Sequence, residues 1–195
     1  MPRTAAETRA HLLQVAGELF YRRGIRATGV DLVAAEAGVA PTTLYRLFGS
    51  KDDLVAAYVE HSDQGVREML AAATEAAGPD PRDQILAIFD AVYAQVDSDR
   101  FRGCAMMMTL AEYPDADQAA HRNATAGKVW IRHRIGELTG KLPVDNADEV
   151  ADYLTLALEG MLATGQALGP DGPARQARRL AEVILSAAAP RPDGS

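Results

Sequence analysis

Cysteine is almost missing. Cys104 stands alone among 195 residues, so no disulfide can close within the chain and no multi-cysteine metal site can form. Histidine is sparse as well. His61, His121 and His133 lack the short His-x3-His or carboxylate-paired spacing that a metal requires, and neither a metal nor a cofactor is expected. Long apolar runs are also lacking. The nearly apolar stretches Cys104–Ala111 and Tyr153–Leu158 fall far short of the roughly 20 residues that cross a bilayer. The opening MPRTAAETRA has no apolar signal core, so a cytoplasmic chain without a membrane partner is expected. No stretch alternates with period two for long enough to make a strand. There is no glycine-rich phosphate loop, and no Ser-His-Asp arrangement can be argued from spacing. Asp148 and Asp152 are paired acids, but they have no nucleophile or metal beside them. An enzyme is therefore the weaker class.

What is present is ordinary globular composition, with 48% apolar and 24% charged residues. The length suits one generous domain or two small ones sharing a core. Net charge is −7, but it is uneven. Residues 1–52 hold seven Lys and Arg against five Asp and Glu, a net of +2, and the rest carries −9. The head tolerates a polyanion; the body repels one.

Apolar residues recur at three and four throughout, and the spacing predicts an all-α chain of about nine helices. The first helix runs from about Thr4 to Arg23, with Leu12, Val15, Ala16 and Leu19 on one face, Phe20 beside them and Gly24 as its stop. Thr28 reads as the N-cap of a short second helix that ends at Gly38. A third begins at Pro41, a residue suited to a first turn, and ends before Gly49. Ser50 caps a long fourth helix, with Asp53 placed as in a capping box, that lasts to Gly78-Pro79. Further helices are expected over Pro81–Val96, Cys104–Glu112, Asp115–Leu138, Asn146–Gln166 and Pro173–Ala188. A frayed tail is expected over Pro190–Ser195.

Residues 28–51 form a helix, a glycine turn and a second helix, which is a helix-turn-helix pattern. Ala34 and Ala37 are small where two helices approach, and Val39 and Leu44 fill the space beneath. If the third helix enters a major groove, its first turn, Pro41-Thr42-Thr43, faces base edges. Hydroxyls and methyls there can touch polar edges or a thymine methyl, without the bidentate pairing of Arg, Asn or Gln. Tyr45 and Arg46 lie within reach of flanking phosphates, and Arg46 also of a guanine. Lys51 and the free N–H groups after Ser50 make an anion site, as does the helix start at Thr28. Each of these residues has a plainer alternative as a packing or solvated surface group.

The run Thr28–Leu54 resembles the DNA-binding head of the tetracycline-repressor (TetR) family of bacterial regulators. The likeness rests on Phe20, Gly24, Thr28, Ala37-Gly38-Val39, Thr43-Leu44-Tyr45, Phe48, Lys51 and Leu54. It implies an all-helical homodimer in which residues 1–50 bind double-stranded operator DNA and residues 51–195 bind a small-molecule effector and dimerise. It also implies DNA contacts by Thr28, Thr42, Thr43, Tyr45 and Lys51, with Pro41 shaping the recognition helix. Ala40 and Leu47 depart from the serine and histidine common there, losing a cap worth about 1 kcal/mol and one phosphate contact. More softly, Phe101-Arg102-Gly103-Cys104 and Ala111-Glu112-Tyr113-Pro114 resemble the body of one subgroup.

For the effector, the sequence offers His61, Phe89, Tyr93, Met106, Met107, Trp130 and Arg134. Methionines adapt to irregular ligands, and tryptophan suits a ligand wall. Ordinary core packing is the alternative for each. Cys104 shows no basic neighbour in sequence and reads as inert. For the dimer, Leu154, Leu158, Met161 and Leu162 form one apolar stripe, and Ala177, Leu180, Ala181 and Ile184 another. Gly160, Ala163 and Gly165 allow close approach, so two helices per subunit would make a four-helix bundle. The function expected is a ligand-released repressor. An activator of the same fold, or a helical adaptor that has lost DNA binding, is the alternative.

Overall fold

The computed structural model describes residues 3–189, and the tail expected to fray lies outside them. Nine α-helices and one 3₁₀ turn make up the regular structure of the described residues, with no strand among them. In order they are α1 (Ala5–Arg23), α2 (Val30–Glu36), α3 (Pro41–Phe48), α4 (Lys51–Ala76), α5 (Pro81–Val96), α6 (Ala105–Glu112), α7 (Ala119–Thr139), α8 (Ala147–Leu168), the 3₁₀ turn (Pro173–Gln176) and α9 (Ala177–Ala187). The chain forms two compact units. Among the described residues, one takes those up to Gln64 together with Ala105–Gly127; the other takes Gly65–Cys104 and those from Lys128 on. Compactness thus adds α6 and the start of α7 to the unit that holds the head.

In the first unit, α1 starts with a capping box. Thr4 Oγ1 accepts the Glu7 N–H, and the Glu7 carboxylate accepts the Thr4 N–H. Leu12, Ala16 and Phe20 recur every four residues and are buried, whereas Val15 and Leu19 are only half-buried. Val33 and Ala34 of α2 and Leu44 and Phe48 of α3 are buried with them. Phe20 meets Tyr58 of α4 edge to face, with ring centroids 5.5 Å apart. The Arg9 guanidinium lies 4.7 Å from the Phe48 ring centroid. Gly38, in the turn between α2 and α3, has φ +67° and nothing within 4 Å of an added Cβ. Backbone conformation, not space, therefore calls for glycine there.

The second unit is built around α5. Ile85, Ile88 and Phe89 are buried with Ile131, Ile135 and Leu138 of α7, Leu154, Leu158 and Met161 of α8, and Ala177, Ala181 and Leu185 of α9. Five of the eight residues expected to meet a second subunit are buried within the single chain. Leu154 is 0% exposed, and Leu158, Met161, Ala177 and Ala181 are buried. Met161 and Ala177 nevertheless line an apolar groove between α8, the 3₁₀ turn and α9. The physical reason for the burial is that helical periodicity marks which residues share a face, not which neighbour covers it. Gly165 likewise faces inward, where a Cβ would run into Val96. The large apolar side chains left exposed on α8 and α9 are Tyr153, Leu156, Leu168, Leu180 and Val183. Of the expected interface residues Leu180 is exposed, and Leu162 and Ile184 are partly so.

Candidate nucleic-acid interface

The third helix runs over the expected residues, opened by Pro41 in its first turn and closed by Gly49 at φ +82°. Ala40 is its N-cap and makes no side-chain bond, as its methyl dictates. With Leu44 and Phe48 pointing inward, the 3.6-residue period turns the intervening positions outward. Pro41, Thr42, Tyr45 and Arg46 are exposed and Thr43 is half-buried. Tyr45 is 47% exposed, which is large for an aromatic ring on a helix with a buried face. There is no acid in α3.

Ser50 precedes α4, and its Oγ accepts the Asp53 N–H at 3.0 Å while donating to Asp53 Oδ2 at 2.6 Å. This is the expected cap, although the return bond from Asp53 goes to the hydroxyl instead of the backbone. Lys51 is the first residue of α4 and is half-buried. The acids beside it are engaged: Asp53 by Ser50, and Asp52 by the Tyr113 hydroxyl at 3.2 Å. Burial and the neighbouring Asp52 carboxylate push the Tyr113 phenol up to about 12, so it stays a donor.

Thr28 departs from expectation. Gly29 is the N-cap of α2, without a side-chain bond. Thr28 is 0% exposed, and its hydroxyl donates to the Gly24 carbonyl at 2.8 Å. Its own N–H is directed to the Ile25 carbonyl. A buried hydroxyl must find a partner inside, and this one ties the turn after α1 instead of facing solvent.

The seven residues proposed for an effector divide between the two units. His61, Met106 and Met107 belong to the first unit; Phe89, Tyr93, Trp130 and Arg134 belong to the second. Phe89 and Met106 are buried, while Met107 and His61 are exposed. The Tyr93 hydroxyl donates to the Pro170 carbonyl at 3.3 Å. Trp130 and Arg134 share a depression, about 450 Å³, with Ala71, Thr74, Glu75, Gln84 and Glu137. The Arg67 guanidinium stands 4.5 Å from the Trp130 ring centroid, and Arg134 pairs with Glu137 at 2.9 Å.

Two groups escaped sequence reasoning. Lys128, 24 positions beyond Cys104, lies beside it and bonds both Glu159 oxygens at 2.7 and 2.8 Å. Burial works against the Lys128 ammonium, but Cys104 and Glu159 outweigh it and leave its pKa raised. The acids Asp148 and Asp152 share one partner, Arg132, at 3.1 and 2.9 Å. No short-range pattern announces either set.

A larger groove, about 650 Å³ and almost wholly apolar, runs between α8 and the 3₁₀ turn with α9. It is lined by Tyr153, Leu156, Gly160, Thr164, Leu180 and Ile184 among others. Gly160 opens onto free space.

Known proteins bear on these surfaces. Residues 12–58 match the family model for bacterial regulatory proteins of the tetR family. The chain is 27% identical to the HTH-type transcriptional regulator YjdC of Escherichia coli, covering 96% of this chain and 98% of that protein. It is 26% identical to the HTH-type transcriptional regulator BetI of Stenotrophomonas maltophilia, over 93% of each. A TetR-family transcriptional regulator from Streptomyces coelicolor, known by crystal structure, superposes with a TM-score of 0.89. It is 32% identical, over 95% of this chain and 97% of that one.

Proposed function

The chain belongs to the tetR family of bacterial regulatory proteins, and from that premise we propose an effector-released repressor that acts as a homodimer on a palindromic operator. DNA-binding transcriptional regulation comes with the family. Repression, the palindrome and the effector are our inference.

The observation that carries the reading is the outer face of α3. Pro41, Thr42, Tyr45 and Arg46 stand in solvent over a buried Leu44 and Phe48. In the proposal, Thr42 and Thr43 meet base edges, Tyr45, Arg46 and Lys51 meet phosphates or a guanine, and Pro41 sets the helix start. Thr28 shapes the turn beneath. Hydroxyl contacts read few bases each, so one head is weakly selective. Two heads about 34 Å apart read a palindrome. The apolar groove of α8 and α9 supports a second copy of the chain as the other half, because its open Gly160 and exposed Leu156 and Leu180 permit close helix packing. Residues 1–50 serve DNA binding, and residues 51–195 serve the effector and the dimer. Trp130 and Arg134 support an amphipathic effector, with an apolar wall beside the ion-paired Arg134 and the acids Glu75 and Glu137 in the same depression. Such a molecule releases DNA only by preferring the DNA-incompetent state.

Fluorescence anisotropy with duplex fragments from upstream of the chain's own gene tests this. Affinity is expected to fall steeply with salt, as phosphate contacts release counterions. A double substitution, Tyr45→Ala with Lys51→Ala, is expected to weaken binding by at least about tenfold and flatten the salt slope by about one unit. Salt-independent binding, or a double variant that binds like wild type, refutes the assignment.

A further inference from the structure

Two consecutive residues, Glu112 and Tyr113, grip the chain on both sides of the α2–α3 module, within the first compact unit. Glu112 ends α6. Its Oε1 accepts the Ile25 N–H at 2.9 Å and its Oε2 accepts the Arg26 N–H at 2.6 Å. Arg26 Nε donates in return to the Glu112 carbonyl at 2.9 Å. Tyr113 is buried, and its hydroxyl donates to Asp52 Oδ1 in the first turn of α4. The Tyr113 carbonyl is itself bonded to the His121 ring at 2.8 Å, and Asn123 Nδ2 donates to the Ala56 carbonyl of α4 at 3.1 Å. One hold therefore falls at Arg26, shortly before α2 begins at Val30. The other falls at Asp52, shortly after α3 ends at Phe48.

A carboxylate that accepts two backbone N–H groups makes charge-assisted bonds, roughly twice as strong as neutral ones. Neither Glu112 nor Tyr113 lies on the outer face of α3. We propose that they are positioning residues for DNA binding, a two-point clamp that holds the recognition module at the angle each head needs to meet its half-site. The inference rests on the reading of the chain as an operator-binding dimer. Orientation matters most when two joined heads must fit one duplex together. A loosely held second head has a lower effective concentration at its half-site, whereas a single head on a single arm can adjust freely.

The test uses the full-length protein and the duplex it protects in footprinting, intact or with one arm scrambled. Glu112→Ala is expected to weaken binding to the intact duplex about tenfold and Tyr113→Phe about threefold. Each should leave single-arm affinity within about twofold of wild type. Glu112→Gln falls between, because its amide oxygen still accepts one N–H while its NH₂ confronts the other. Amide hydrogen exchange at Ile25 and Arg26 is expected to quicken in Glu112→Ala while exchange in the core of α1 is unchanged. Equal losses on both duplexes overturn the proposal, since they mark a general folding defect. No loss on either overturns it too, since the clamp is then idle. A wild-type chain that protects no duplex in footprinting brings down the operator reading and the clamp together, an outcome distinct from failure of the clamp alone.

Discussion

The outer face of α3 and the outer face shared by α8 and α9 are both uncovered, and they differ in chemistry. The first offers hydroxyls, a phenol and a guanidinium on Thr42, Tyr45 and Arg46, over only two buried side chains. The second offers Leu156 at 69% exposure and Leu180 at 48%, over a deep core that includes Leu154, Leu158 and Ala181. Polar outward groups on a thin module suit a charged, hydrated partner such as duplex DNA. Apolar outward groups on a well-supported surface suit a partner that excludes water, such as a second copy. The same 3.6-residue period lays out both faces; the residues at the outward positions set the partner.

The largest effect is expected at α8 and α9. Leu156→Arg combined with Leu180→Glu is expected to give monomers in sedimentation velocity and to weaken binding to the intact operator by about a hundredfold or more. A variant that stays dimeric removes the proposed role of that face. Next comes the division within α3. Leu44→Ala, at a 0% exposed position, is expected to lower unfolding stability by about 2–5 kcal/mol. Thr42→Ala on the outer side should change it by no more than about 0.5 kcal/mol. Urea titrations of the two variants measure the difference, and equal values would erase the distinction between the faces.

A smaller effect is expected inside the second unit. Lys128→Met leaves the Glu159 carboxylate without its partly buried ammonium, which has 17% side-chain exposure. The loss should be about 1–2 kcal/mol in urea unfolding, with little change in DNA affinity. The smallest effect is pH-dependent and lies at the start of α1. The Thr4 N–H and hydroxyl hold the Glu7 carboxyl below its ordinary range. Its contribution is therefore complete above the unfolded value and fades as pH falls through the lower folded one. Melting temperatures of wild type and Glu7→Gln are expected to differ slightly at neutral pH and to converge in acid.

The head was readable because its signals are local. Pro41 and Gly49 bound α3 where they stand in the sequence, Ser50 caps α4, and Gly38 supplies the left-handed turn. Each is a backbone constraint that a residue imposes on its own neighbourhood. Thr28 was misread because a threonine before a helix can cap it or bond backward. The carbonyl of Gly24 was closer to hand, so Gly29 became the cap. In the same way Pro173 opens a 3₁₀ turn before α9 instead of the first turn of one continuous helix. The Asp117 N–H is capped by the Asp115 side chain in a turn that delays α7 to Ala119.

What the sequence alone determined is the helical class, the order and near-limits of the helices, and the recognition module with its outward hydroxyls. Propensity, capping and periodicity act over a few residues and need no distant partner. Tertiary structure decided which stripe of α8 and α9 stays inside, that Lys128 stands beside Cys104, and that Glu112 reaches back across 86 and 87 residues to hold Arg26 and Ile25. Those outcomes depend on how whole helices pack. A face becomes core or surface, and a charge finds its partner, only when elements far apart in sequence compete for the same space.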